Sequence, residues 1–363
     1  MKVKKKFIND NMRLRVLIGL FLISSMSTLL GQTASDYSYT KKTSITGVFR
    51  GSLEPRIKLE VNQQYIDNSL QKLETEMVND SFRFDFDLSV PQTVTIRYLR
   101  NTANVYIEPG QTLHIDADAN SFYFSFEFKG ESAGNNAFLR LFCQKYKTHY
   151  PRSVQMFRYK KGIVWYKVHR DMDTNMRRKG PKSFTTFMLA DKTEKMGMLD
   201  GYEMGSNSAL TEDFKLYMWS EINYYWAYHM LTYGYSFGFF HDINFQDFFG
   251  FMYEVPMQSD RTLGSKYYRE FLIGAMNYYC EGPKKLPDPM KDVYYDQLMK
   301  QYKYGAGKLE GRPKAFYMAE MIHCAYKANL IQEMMTVGRE FKKDNPHKEF
   351  NKRLLDDLFL KQN

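Results

Sequence analysis

From Thr43 onward, apolar and polar residues alternate one by one, and a period of two marks strands with one face buried. The alternation predicts strands over residues 44–50, 56–61, 81–88, 93–98, 105–108, 112–116 and 122–128. Pro55, Pro91, Asn101, Pro109, Gly110 and residues 118–120 fall between or beside them, where turn formers belong. Seven short strands with turn signals at this frequency predict an antiparallel β-sandwich over residues 42–132.

The period changes near Gly130. From Asn135 apolar residues recur at spacings of three and four, as in Phe138, Leu141, Phe142 and Tyr146, which predicts the first helix. Further helices are expected over 183–199, 211–231, 243–253, 265–279, 288–302, 314–327, 330–343 and 348–360. Several follow a Ser, Thr, Asp or Asn able to satisfy the free amides of a first turn. The expected fold class is therefore α+β with the two kinds of element segregated: the sandwich, then an all-helical domain over 133–363.

The first 31 residues stand apart from both patterns. Lys2, Lys4, Lys5, Lys6, Arg13 and Arg15 precede an apolar run starting at Val16, and small and polar residues follow up to Gly31. This is the layout of a cleavable secretory signal, so export to the periplasm or cell envelope is expected, with residues 32–41 as a linker. Ser24, Ser25, Ser27 and Thr28 dilute the run below the roughly 20 predominantly apolar residues of a membrane span. Membrane contact is expected only through this segment, if it stays uncleaved.

The leader also changes the meaning of the charge. The whole chain carries +10, but the six Lys/Arg and one Asp of residues 1–31 contribute +5 of it. The +5 left over some 330 residues is no polyanion-binding signature, and an exported protein meets little nucleic acid, so that partner class is excluded. The three cysteines, Cys143, Cys280 and Cys324, are widely spaced without a C-x-x-C, and are expected as small buried hydrophobes.

Several segments resemble the N-terminal portion of exported TlpA-like thioredoxin-family proteins of Bacteroidota. They are IEPGQTLHID at 107–116, FEFKGESAGNNAFL at 126–139, SKYYREFLIGAMNYY at 265–279 and the helical stretch 315–359. The first is a hairpin turning at Pro109 and Gly110; the second marks the switch from sheet to helix. In that family such helices lead into a thioredoxin domain with a C-x-x-C pair, which residues 1–363 do not contain. Since redox exchange needs a low-pKa thiolate and a resolving cysteine, the resemblance implies only the accessory half: a module that docks a thioredoxin-fold protein of the envelope or its substrate.

The remaining constellations carry little chemistry. Asp116, Asp118 and Asn120 have the spacing that opens a calcium loop but lack its glycine and distal glutamate, and are expected as turn acids. His323 and Cys324 are adjacent, so on a helix they cannot converge. The basic residues from Arg158 to Lys182 are expected as a solvated face. No P-loop, G-x-S-x-G or H-E-x-x-H occurs, and no catalytic residue, metal or cofactor is implied.

The densest feature is aromatic, running from Phe214 to Phe240. Gly234 and Gly238 are expected to break the helix and put Tyr233, Tyr235, Phe237, Phe239 and Phe240 on or beside a loop, as a ligand or partner surface, although core packing accounts for aromatics at this density too. The expected function is a non-catalytic accessory or scaffold module of a TlpA-like thiol–disulfide system. The alternative is an independent envelope binding protein for a glycan or peptide.

Overall fold

The computed structural model describes residues 40–62, 65–66, 70–146, 156–158, 164–166, 170–205, 210–237, 244–282, 295–328 and 330–351. The leader and most of the expected linker and last helix lie outside them. Eight strands build two four-stranded sheets: β1 (Lys41–Arg50), β2 (Arg56–Val61), β3 (Gln71–Glu76), β4 (Ser81–Leu88), β5 (Gln92–Tyr98), β6 (Asn101–Ile107), β7 (Thr112–Asp118) and β8 (Glu127–Lys129). One sheet runs β4-β1-β7-β8 and the other β3-β2-β5-β6. All pairings are antiparallel except β1 with β7, where Ser44 faces Thr112 in parallel register.

Alternation does what it predicts. In β4, Phe82, Phe84, Phe86 and Leu88 point inward while Ser81, Arg83, Asp85 and Asp87 face water. They meet Ile45, Phe49, Ile57, Leu59, Val94, Ile96, Val105, Leu113 and Ile115 in a core between the sheets. Phe49 is the hub, with its ring 4.8 Å from Phe82, 5.2 Å from Phe122 and 5.7 Å from Phe126. Gly47 lets the strands close: a Cβ there would lie 2.4 Å from the Ile115 carbonyl.

The strand expected over 122–128 is mostly a 3-10 turn, Ala119–Ser125, with only Glu127–Lys129 extended. The Asp118 side chain caps the turn by accepting from the Asn120 amide at 2.8 Å. Phe122 and Phe126 both reach the core, as the pattern requires. Phe122 reaches it from within the turn and Phe126 from the extended residue that follows.

A short hairpin follows, β9 (Met156–Arg158) with β10 (Val164–Tyr166). The helices are α1 (Ala133–Lys145), α2 (Arg170–Arg178), α3 (Pro181–Gly205), α4 (Glu212–Phe237), α5 (Lys266–Glu281), α6 (Tyr295–Lys308), α7 (Gly311–Lys327) and α8 (Ile331–Asp344). The helix expected over 243–253 is a single turn at Phe245–Phe248 continued by a 3-10 stretch, Phe249–Glu254. The α+β order read from the sequence is thus the observed one. α4 is buried along most of its length, with α3 and α5 packed against it.

Sheet and helices are joined by buried polar contacts as well as by apolar packing. β6 is a sheet edge, and α1 covers it: Asn136 accepts from the Tyr106 amide at 2.7 Å and donates to its carbonyl at 2.8 Å. Tyr217 of α4 accepts from the Thr93 amide at 3.1 Å and donates to its hydroxyl at 2.9 Å. Arg312 of α7, itself buried, donates to the Ser89 carbonyl at 3.3 Å and pairs with Glu349 at 3.2 Å. Gly264 abuts Pro91 so closely that no Cβ fits. From Thr40 onward these contacts make a single compact unit.

Candidate functional site

The described part of the aromatic run, up to Tyr235, belongs largely to the interior. α4 continues through Gly234 to Phe237 instead of breaking. The glycine answers to packing: a Cβ on it would lie 2.4 Å from the Phe249 ring, so it admits the 3-10 stretch against the helix. Tyr233 is fully buried, stacked on Phe184 at 4.3 Å, and its hydroxyl donates to the Lys179 carbonyl at 2.8 Å. Tyr235 is buried beside Phe249, with ring centres 5.5 Å apart. Neither ring has a face left for a ligand. Phe237 ends the helix, and Phe239 and Phe240 lie outside the described residues. Farther along α4, Tyr224 donates to the Pro256 carbonyl at 2.6 Å, so here too a buried ring finds an internal acceptor for its polar tip.

The other sequence candidates also have structural employment. Asp116 is buried and bound to Lys129 at 2.5 Å, with His114 and Arg50 nearby, and these neighbours hold its carboxyl below the usual range. Asp118 caps its turn. His323 is buried in α7 and Cys324 half-buried beside it. All three cysteines are free thiols, and burial pushes the Cys280 thiol up, with Glu281 adding to the effect. Arg177, Arg178 and Lys182 are exposed; Lys160, Lys161 and Lys167 lie outside the described residues. No cluster of three or more His, Cys, Asp or Glu suited to a metal occurs among the described residues.

What sequence patterning missed is the loop end of the sandwich. Three connections meet there: residues 51–55 after β1, the Val78–Ser81 turn and the two-residue turn from Tyr98 to Asn101. The first connection ties the others together. The Tyr98 hydroxyl accepts from the Leu53 and Glu54 amides at 2.7 and 3.0 Å, and the Met77 amide donates to the Pro55 carbonyl at 2.6 Å. Asp80 accepts from the Gly51 amide at 3.0 Å and from the Ser52 hydroxyl, and these bonds hold its carboxyl below the usual range.

On this braced end, Leu53 is 85% exposed, Val78 70% and Leu99 60%. Leu99 also has φ +53° at the first central position of its turn, where glycine is the usual occupant. For a leucine that conformation costs about 1–2 kcal/mol. Asn79 and Asp80 take positive φ as well, but they are residue types that tolerate it. A lone leucine after a tyrosine carries no periodic signal, so only the paired register of β5 and β6 exposes the anomaly.

A second exposed feature flanks α5. Tyr253 is 81% exposed, 6.3 Å from the Tyr279 ring, which meets Tyr278 at 5.5 Å. Comparison of the chain with family models, with curated proteins and with solved structures finds no match to any of them.

Proposed function

We propose that the protein is a non-catalytic recognition and scaffold module of a cell-envelope thiol–disulfide system, docking a thioredoxin-fold partner through the loop end of its sandwich. The observation that carries this reading is Leu99. A leucine held at positive φ and left in water costs stability and buries little, so its return lies in a contact made outside the fold. Leu53 and Val78 extend the same surface, and the hydrogen bonds among the three loops fix it before a partner arrives, which lowers the entropy lost on docking. The thiol chemistry points the same way: Cys280 is kept protonated, and the protonated form is not the nucleophile. The link to a thiol–disulfide system rests on the resemblance of the sheet-to-helix segment and the C-terminal helices.

The test is a comparison of the mature protein with its Leu99→Gly and Leu53→Ser variants as baits for envelope extract of the native host. The expected prey is a chain with a thioredoxin C-x-x-C, retained by the parent protein and lost with both variants. Leu99→Gly is expected to raise stability by about 1 kcal/mol, because glycine occupies that turn without strain. Weaker capture by a more stable protein separates a docking role from a folding one. Prey without C-x-x-C would sink the thiol–disulfide reading. Oligosaccharide or peptide held at the Tyr253 ledge instead would move the protein to the class of free-standing binding proteins.

A further inference from the structure

We propose that the outer edge of β4 is a self-pairing surface, on which a second copy of this chain adds its own β4 antiparallel about a two-fold axis at Phe84. β4 ends its sheet, with β1 as its strand neighbour. The Phe49 amide donates to the Asp80 carbonyl at 2.8 Å, and carried along the register of β1 and β4 this bond puts the ladder on Phe82, Phe84, Phe86 and Leu88. The amides and carbonyls of Arg83 and Asp85 therefore point away from β1. Among the described residues these groups have no backbone partner, whereas Ser81, at the start of the strand, is closed off by its two bonds with Val78.

The other edges are managed. β6 lies against α1, β8 has three residues, and in β3 the central Glu74 is held by Arg56 and Lys58 of β2 at 3.6 and 2.9 Å. Charge on an edge ordinarily deters pairing. On β4, however, the charges are of opposite sign and two residues apart, and the Arg83 and Asp85 side chains are 63% and 53% exposed, free to meet a second strand. A two-fold axis at Phe84 sets Arg83 opposite Asp85 of the second copy, and Asp85 opposite its Arg83, as directly paired residues that exchange both backbone bonds. Arg83 already holds Asp85 within its own strand by two bonds of 2.8 Å, so the four side chains close a square in which every charge has opposite charges for neighbours. Moving the axis by one residue would place Asp85 opposite Asp85 or Arg83 opposite Arg83, and like charges directly opposite destabilise a strand pair.

The charge pattern thus selects both the partner and the register. An interface resting on one strand is small beside the roughly 1,200 Å² of a stable complex, so the pairing is a weak, concentration-dependent one. It uses the backbone edge of β4 and not the exposed leucines of the loop end, so it stands or falls independently of the docking proposal.

The experiment is sedimentation equilibrium of the mature protein over roughly 1–300 µM, a range that spans weak self-association, with amide hydrogen exchange followed at both ends of it. A monomer–dimer equilibrium is expected, with slower exchange at the Arg83 and Asp85 amides in the concentrated sample. Asp85→Arg sets like charges opposite each other at two places and should weaken the dimer at least about tenfold. Combining it with Arg83→Asp restores the alternation of signs and should bring the dissociation constant back to within about threefold of the parent value. A protein that stays monomeric throughout overturns the proposal, as does a dimer that Asp85→Arg leaves unchanged or that the double variant fails to restore. So does a dimer whose formation leaves exchange at Arg83 and Asp85 unaltered, and that measurement on the parent protein decides the matter even if a variant does not fold.

Discussion

Glycine and leucine at single positions decide more in this protein than their neighbours suggest. Gly234 sits in the last turn of a buried helix, where an alanine gains up to about 1 kcal/mol of helix propensity. Against that gain stands the Phe249 ring, 2.4 Å from where the new Cβ would go, and overpacking of a tight interior costs about 1–3 kcal/mol. Gly234→Ala is therefore expected to lower stability by about 1–2 kcal/mol in urea unfolding; a gain would mean that the 3-10 stretch is loosely held and that the glycine is a breaker after all. The sequence made the aromatic density legible but not its direction. Rings occur all around α4, and a helix that is apolar on every side has no solvent face to read. Gly234 then carries the signal of a turn and the duty of a close approach, and the one-dimensional pattern cannot separate them.

At the scale of elements, β2 and β4 were legible to the residue, because one face of each is apolar and the other charged or polar. β3 was not: in Gln71–Glu76 only Leu73 packs on the core, and the strand exists because β2 offers it a ladder. The same dependence runs through β6. As an edge it would present open amides and carbonyls, and Asn136 of α1 closes the pair at Tyr106 inside the interior. Replacing Asn136 with Ala leaves a buried donor and a buried acceptor without partners, each worth about 1–3 kcal/mol. The expected loss is about 2–4 kcal/mol, with faster hydrogen exchange at the Tyr106 amide than elsewhere in the sheet. Equal acceleration across both halves would instead mark Asn136 as one contact among many. An asparagine three residues into a helix gives no hint of this role; its partner is a strand 30 residues away.

For the molecule as a whole, the question is what holds a sheet half and a helical half in one arrangement, and Glu108 offers a way to measure it. It stands at the Pro109–Gly110 hairpin that the sequence singled out, and it reaches the start of α4. Thr211 donates to its carboxylate at 3.0 Å, Tyr106 at 3.1 Å and Gln111 at 3.0 Å, while Asn135 of α1 donates to the same Thr211 hydroxyl at 2.9 Å. Despite these donors, burial raises the Glu108 pKa above the ordinary 4.5, and the nearby Asp213 and Glu131 charges push it the same way. The folded protein therefore holds this proton more tightly than the unfolded chain does. The stabilisation is fully present below pH 4.5 and is lost as pH rises through the folded-state value. Glu108→Gln keeps an acceptor for Thr211 and removes the titration. The variant is thus expected to be matched or exceeded by the parent at pH 4 and to gain on it toward pH 7, with the stability difference changing only in that window. Asp85 and Asp116, whose pKa values are lowered, change stability in the opposite sense, but they do so in both proteins and cancel in the difference. A difference that stays flat from pH 4 to 7 would show Glu108 to be as well solvated as an ordinary surface glutamate, and the seam between sheet and helices to be open to water there.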